Sequence, residues 1–97
     1  MIDRDEYVQK LKSQIDHCNS EAARWEEKVK KAQSGMKAEY ERQLEQFRAR
    51  REEAMTELRR LQNASTDAWT EMMRGVDASV KSMQEAFERA RRSFDKK

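Results

Sequence analysis

The single histidine and the single cysteine of the chain are neighbours, His17 and Cys18, and they are the first residues that could do chemistry. Imidazole and thiolate both bind zinc, but a site needs ligands spaced so that all reach one ion. Adjacent residues on a helix point about 100° apart, and no spaced partner ligands follow. No metal site is expected. Cys18 instead falls at a position where a thiol serves as a small buried apolar group. It can form no disulfide within the chain. Two copies of Cys18 could meet in a parallel dimer, although such a bond would be unusual in a reducing compartment.

Other reactive side chains have plainer readings. Met36, Met55, Met72, Met73 and Met83 could hold soft copper or form an adaptable docking surface. At helical spacing they read as core filler. Arg48, Arg50, Arg51, Arg59 and Arg60 could contact phosphates, but Glu52, Glu53 and Glu57 stand among them. No basic block precedes a zipper, and the net charge of +2 is spread evenly along the chain. Nucleic acid is a disfavoured partner. Only the last nine residues are biased, with Arg89, Arg91, Arg92, Lys96 and Lys97 against Asp95. These five are the candidate contact for a membrane or another anionic partner. No glycine-rich phosphate loop or nucleophile motif is present, and no carboxylate sits where its pKa would be raised. The sequence is read as non-enzymatic, with no catalytic residue and no cofactor.

The elements that carry these residues are helices. Met36, Tyr40, Leu44, Phe47, Ala54, Leu58 and Leu61 recur at spacings of three and four, with Arg51 taking one turn of the same stripe. That is one face of a helix rather than the alternation of a strand. Upstream, Val8, Leu11, Ile15, Cys18, Ala22, Trp25, Val29 and Ala32 keep a heptad seam up to Met36. Downstream, Trp69, Met72, Val76, Val80, Met83, Phe87, Ala90 and Phe94 form a third stripe. An eleven-residue line, Trp25–Met36–Phe47–Leu58–Trp69–Val80, joins all three and stays nearly straight on a helix. Of the 97 residues 41% are charged and 36% hydrophobic, with no proline and two glycines. This composition suits long helices in one helical domain over 1–97. No apolar run exceeds two residues, so neither a membrane span nor a signal-peptide core is expected, and the default location is cytoplasmic.

The boundaries follow from local signals. Asp3 can cap a first helix, with Glu6 reaching back and Ile2 stapled to Tyr7. Glu26–Lys30 and Glu27–Lys31 are favourable pairs on its outer face. Gly35 follows Lys30 and Lys31 as at a helix end, but Met36-Lys37-Ala38 offers no new cap. The helix is therefore expected to continue, giving one long helix over 3–63, about 90 Å at 1.5 Å per residue. Small polar residues mark a turn at 63–66, where Ser65 or Thr66 can cap a second helix over 66–96. The expected fold is all-α: a long helix and a shorter antiparallel one, a coiled-coil hairpin. The short arm covers only half of the long one, so a second chain would close the rest as a homodimer or higher homo-oligomer. The alternative breaks at both sites and gives three nearly equal helices, a monomeric three-helix bundle.

Tyr7-Val8-Gln9-Lys10-Leu11-Lys12 resembles the opening of a family of small bacterial coiled-coil proteins of undefined activity. Ala38-Glu39-Tyr40-Glu41-Arg42-Gln43-Leu44, Arg48-Ala49-Arg50-Arg51-Glu52-Glu53-Ala54 and Ser65-Thr66-Asp67-Ala68-Trp69 extend the resemblance over most of the chain. Asp16-His17-Cys18-Asn19 departs from it, since an aromatic residue is expected near Cys18. The resemblance implies a stress-linked, non-catalytic protein, similar to apolipoprotein repeats, and brings no catalytic residues.

Two functions are expected from these readings. The first is a coiled-coil interaction or scaffold protein that self-associates, or takes a protein partner, through Tyr40, Leu44, Phe47, Leu58, Leu61, Trp69, Met72, Val76, Met83 and Phe87. The alternative is a peripheral membrane or lipid-binding protein that uses residues 67–97 as an amphipathic helix.

Overall fold

Asp3 starts the first helix as its sequence suggests. Its carboxylate accepts a hydrogen bond from the Asp5 backbone N–H at 3.2 Å, satisfying a donor that a helix start leaves open. Asp5 and Glu6 add negative charge to that first turn. The structure, a computed structural model, describes residues 3–95. Ile2, and with it the expected staple to Tyr7, lies outside them. Three helices follow in order: α1 Arg4–Lys31, α2 Ser34–Gln62 and α3 Thr66–Asp95. No strand occurs among the described residues.

The expectation of one helix over 3–63 is corrected. The chain turns back at Ala32 and Gln33, both extended, with φ/ψ of −75°/149° and −69°/152°. Gly35 neither ends nor kinks a helix. It lies inside the first turn of α2, and no described residue has a positive φ. Tertiary burial decides the point. A straight helix would leave half of its stripe in water. Folding back at Ala32 lays α1 along the other two helices, so Val8, Leu11, Ile15, Cys18, Ala22, Trp25 and Val29 are all buried within one chain. The alternative architecture, three helices of nearly equal length (28, 29 and 30 residues), is the one adopted.

The second connection is Asn63–Ser65. There the Ser65 hydroxyl accepts from the Ala68 N–H at 3.3 Å and caps α3. The helices run up, down and up. Tyr7 meets Asp77 and Gln14 meets Gln84, both at an offset of 70 residues, so α1 and α3 are parallel and in register. Against α2, contacts advance in opposite directions: Trp25 with Phe47 and Asn19 with Arg51. The bundle measures 51 × 17 × 17 Å, as expected for 30 residues at about 1.5 Å each plus connections.

Packing is uneven around the bundle. α2 and α3 approach most closely, while α1 stands further off, above all from α3. Buried alanines at 54, 86 and 90 add little bulk on α2 and α3. α1 fills its wider gap with Trp25 and Ile15. The two i,i+4 pairs expected on its outer face are not formed. Glu26 turns to Arg48 of α2 at 2.5 Å, and Glu27 pairs with Lys30 at 3.3 Å.

Candidate interaction surfaces

The residues expected to carry self-association lie inside this chain's own core. Phe47, Leu61, Val76 and Met83 are fully buried, and Tyr40, Leu44, Leu58 and Phe87 nearly so, while Trp69 and Met72 are half-buried. Of these, Tyr40, Phe47 and Phe87 join Trp25 and Phe94 in one aromatic centre, in the half of the bundle nearest the α1–α2 turn. Trp25 lies flat on Phe94 with centroids 5.1 Å apart, and Phe94 stacks on Tyr40 at 4.5 Å. Phe87 packs against Trp25 at 4.9 Å and edge-on to Phe47 at 5.8 Å. Ring pairs in offset and edge geometries add about 0.5–1.5 kcal/mol each beyond area burial.

At the opposite end lies a polar lock that periodicity does not reveal. The Tyr7 hydroxyl donates to the Asp77 carboxylate across α1 and α3. Tyr7 also meets Trp69 edge-on at 5.9 Å. The Arg4 guanidinium lies over the Trp69 ring at 4.3 Å and donates to the Ala64 carbonyl at 2.8 Å. Burial, then the Asp77 carboxylate, push the Tyr7 phenol well above the usual tyrosine range. The partners are 60 and 70 residues apart, beyond any local pattern. The one local signal is Arg4 itself, a cation at a helix start where the dipole disfavours it.

His17 and Cys18 diverge as two neighbours on a helix must. Cys18 is buried and His17 exposed, its ring 6.4 Å from Phe87. Burial and the nearby Glu88 carboxylate raise the Cys18 thiol, which therefore stays protonated at neutral pH. Among the described residues no group of three or more His, Cys, Asp or Glu could hold a metal ion.

Several α2 arginines are engaged by carboxylates, among them Arg50 with Glu53, Arg51 with Glu52 and Arg60 with Glu57, each at 3.3 Å. Arg51 interrupts the apolar stripe because it reaches across to α1 and donates to the side-chain amide oxygen of Asn19 at 3.0 Å.

The basic end of α3 gives a divided result. Arg91 pairs with Glu88 within its own helix at 3.1 Å. Arg89 and Arg92 line a groove with Met36, Tyr40 and Gln43 beside the α1–α2 turn. Lys96 and Lys97 lie outside the described residues. Among the described residues Met36 is the large hydrophobic side chain left exposed, at 47%.

Comparisons with family models, with curated proteins and with solved structures find no match to this chain.

The assignment of function therefore rests on the surfaces above. Their common feature is that the buried apolar area lies between the helices, while charged side chains, some of them paired, cover the outside. No described helix is long and apolar enough to cross a membrane.

Proposed function

We propose that this chain is a non-enzymatic helical interaction protein whose partner is a second copy of itself. It works by burying amphipathic helix faces against each other rather than by presenting a preformed pocket. The observation that carries this reading is the uneven packing: α1 stands off from a tighter α2–α3 pair. Its apolar seam of Val8, Leu11, Ile15 and Trp25 can be buried equally well by an identical pair from another chain. The exposed face offers little apolar area for simple docking of closed bundles. Association through the helix faces follows from that economy, and a stress-linked scaffold role is the one the sequence resemblance implies. Light scattering from 1 to several hundred micromolar (~1–500 μM) tests it. A concentration-dependent dimer is expected. A compact monomer throughout, including after refolding at the highest concentration, overturns it.

A second reading has its own observation. α3 buries one continuous apolar face, from Val76 through Val80, Met83, Phe87 and Ala90 to Phe94, with Arg89 and Arg92 beside it. Released from the bundle, residues 67–97 would form an amphipathic helix suited to an anionic lipid surface. Flotation with phosphatidylserine vesicles at low salt is expected to carry the protein upward under this reading. Failure to float overturns it and leaves self-association untouched.

A further inference from the structure

The three helix starts are not equally encoded. Asp3 caps α1 and Ser65 caps α3 through their side chains. α2 begins at Gln33, whose side chain makes no capping bond, and its first turn contains no acidic residue. Nothing in the sequence around the α1–α2 turn demands a turn. It contains no proline, no left-handed residue and only two extended residues, Ala32 and Gln33. Rotating those two ψ angles into the helical region yields one unbroken helix over 4–62. The apolar stripe is already phased for it, because Val29, Ala32, Met36 and Tyr40 fall on one face at spacings of three and four. In the closed bundle that continuity is broken at one point. Met36 is left 47% exposed at the turn, while Val29 and Tyr40 on either side of it are buried.

We propose that the α1–α2 turn is a hinge through which two copies of this chain exchange α1 and form an antiparallel swapped dimer. The proposal rests on the self-association reading above and names its route. In the dimer each α1 seam packs on the partner's α2–α3 pair, with the same contacts it makes in the closed form. The straightened hinges lie near the twofold axis, where the two copies of Met36 leave solvent. Bundle contacts are conserved, so the balance between forms is set by the hinge and by concentration. An uncapped helix start weakens the closed turn, and the regained helical turn with Met36 burial favours the open one.

Ser34→Pro separates the two forms. Ser34 is the first residue of α2, where proline is well accepted, and Gln33 before it is already extended, as a residue preceding proline prefers. In a straight 4–62 helix the same proline removes a hydrogen bond and clashes with the preceding turn. The expected result by analytical ultracentrifugation is a dimer dissociation constant at least ~100-fold higher than wild type, with helicity and monomer melting temperature kept or raised. A Ser34→Pro protein that dimerises as well as wild type overturns the hinge but leaves self-association through another surface standing. A wild type that stays monomeric at every concentration overturns both. Independently of folding, Asp5→Cys with Gln62→Cys in a Cys18→Ala background places spin labels on two residues that line one groove in the closed bundle. Diluted into unlabelled protein, the dimer fraction should show a within-chain distance of roughly 80–90 Å, the length of a 59-residue helix. A short distance in the dimer overturns the exchange.

Discussion

Tyr7 shows how a single side chain can fasten two helices. Its ring packs on Trp69 while its hydroxyl is held by Asp77. Burial and that carboxylate both oppose ionisation, so the folded-state pKa lies above the ordinary value of 10.0. Tyr7 therefore contributes stability that is complete below pH 10 and is lost as pH rises from there toward the folded value. Wild type should lose melting temperature more steeply above pH 10 than Tyr7→Phe does. At pH 7 the same variant should be about 1 kcal/mol less stable in urea unfolding, because Asp77 is exposed and regains water. Equal slopes in alkali would remove the phenol from the account. Cys18 makes a parallel prediction. Buried and held protonated beside Glu88, it should react slowly with a thiol reagent at pH 8 in the native protein and rapidly in denaturant. Fast native labelling would mean that α1 does not stay seated.

At the scale of elements, the caps rank the helix starts. Ser65→Ala removes the hydroxyl that accepts from Ala68 and should cost about 1 kcal/mol. Gln33→Ala removes no capping bond and should leave stability within about 0.5 kcal/mol. Chemical denaturation of the two variants side by side checks the asymmetry; equal losses would contradict it. Both caps on α1 and α3 were legible in the sequence, because capping is a short-range matter of one side chain and the next few N–H groups. The turn at Ala32 was legible only as the alternative break near Gly35, because no cap, left-handed glycine or proline marks it. The charge pairs of α1 differ from the local pattern for a related reason: Glu26 pairs with Arg48 on α2 once the helices are side by side.

For the whole molecule, the aromatic centre is where all three helices meet. Phe47 is fully buried and contacts Trp25 of α1 and Phe87 of α3. Phe47→Ala should cost about 3–5 kcal/mol, a large share of the stability of a domain this small. Phe47→Glu should abolish cooperative unfolding by circular dichroism, and an unchanged melt would displace the core from this face. An antiparallel exchange of α1 also has a consequence for Cys18. The two thiols would lie about 45 Å apart, each some fifteen residues of helix from the hinge. Oxidation should leave the dimer uncrosslinked, whereas a parallel coiled coil would be trapped by a Cys18–Cys18 disulfide.

The sequence by itself determined the helical class, the three apolar stripes, the buried place of Cys18 and the connection near Ser65. All of these depend on periodicity and on interactions within one or two turns. Only the tertiary structure decided that the stripes close on one another within one chain. The register that pairs Tyr7 with Asp77 and Arg51 with Asn19 also waited for it, as did the break of the first stripe at Ala32 rather than its passage through. The reason is that a stripe at spacings of three and four states which face must be buried, and is silent about what buries it. A straight helix covered by another molecule and a bent one covered by its own chain satisfy the same pattern. The choice between them rests on two backbone angles at Ala32 and Gln33 and on the area gained by folding back.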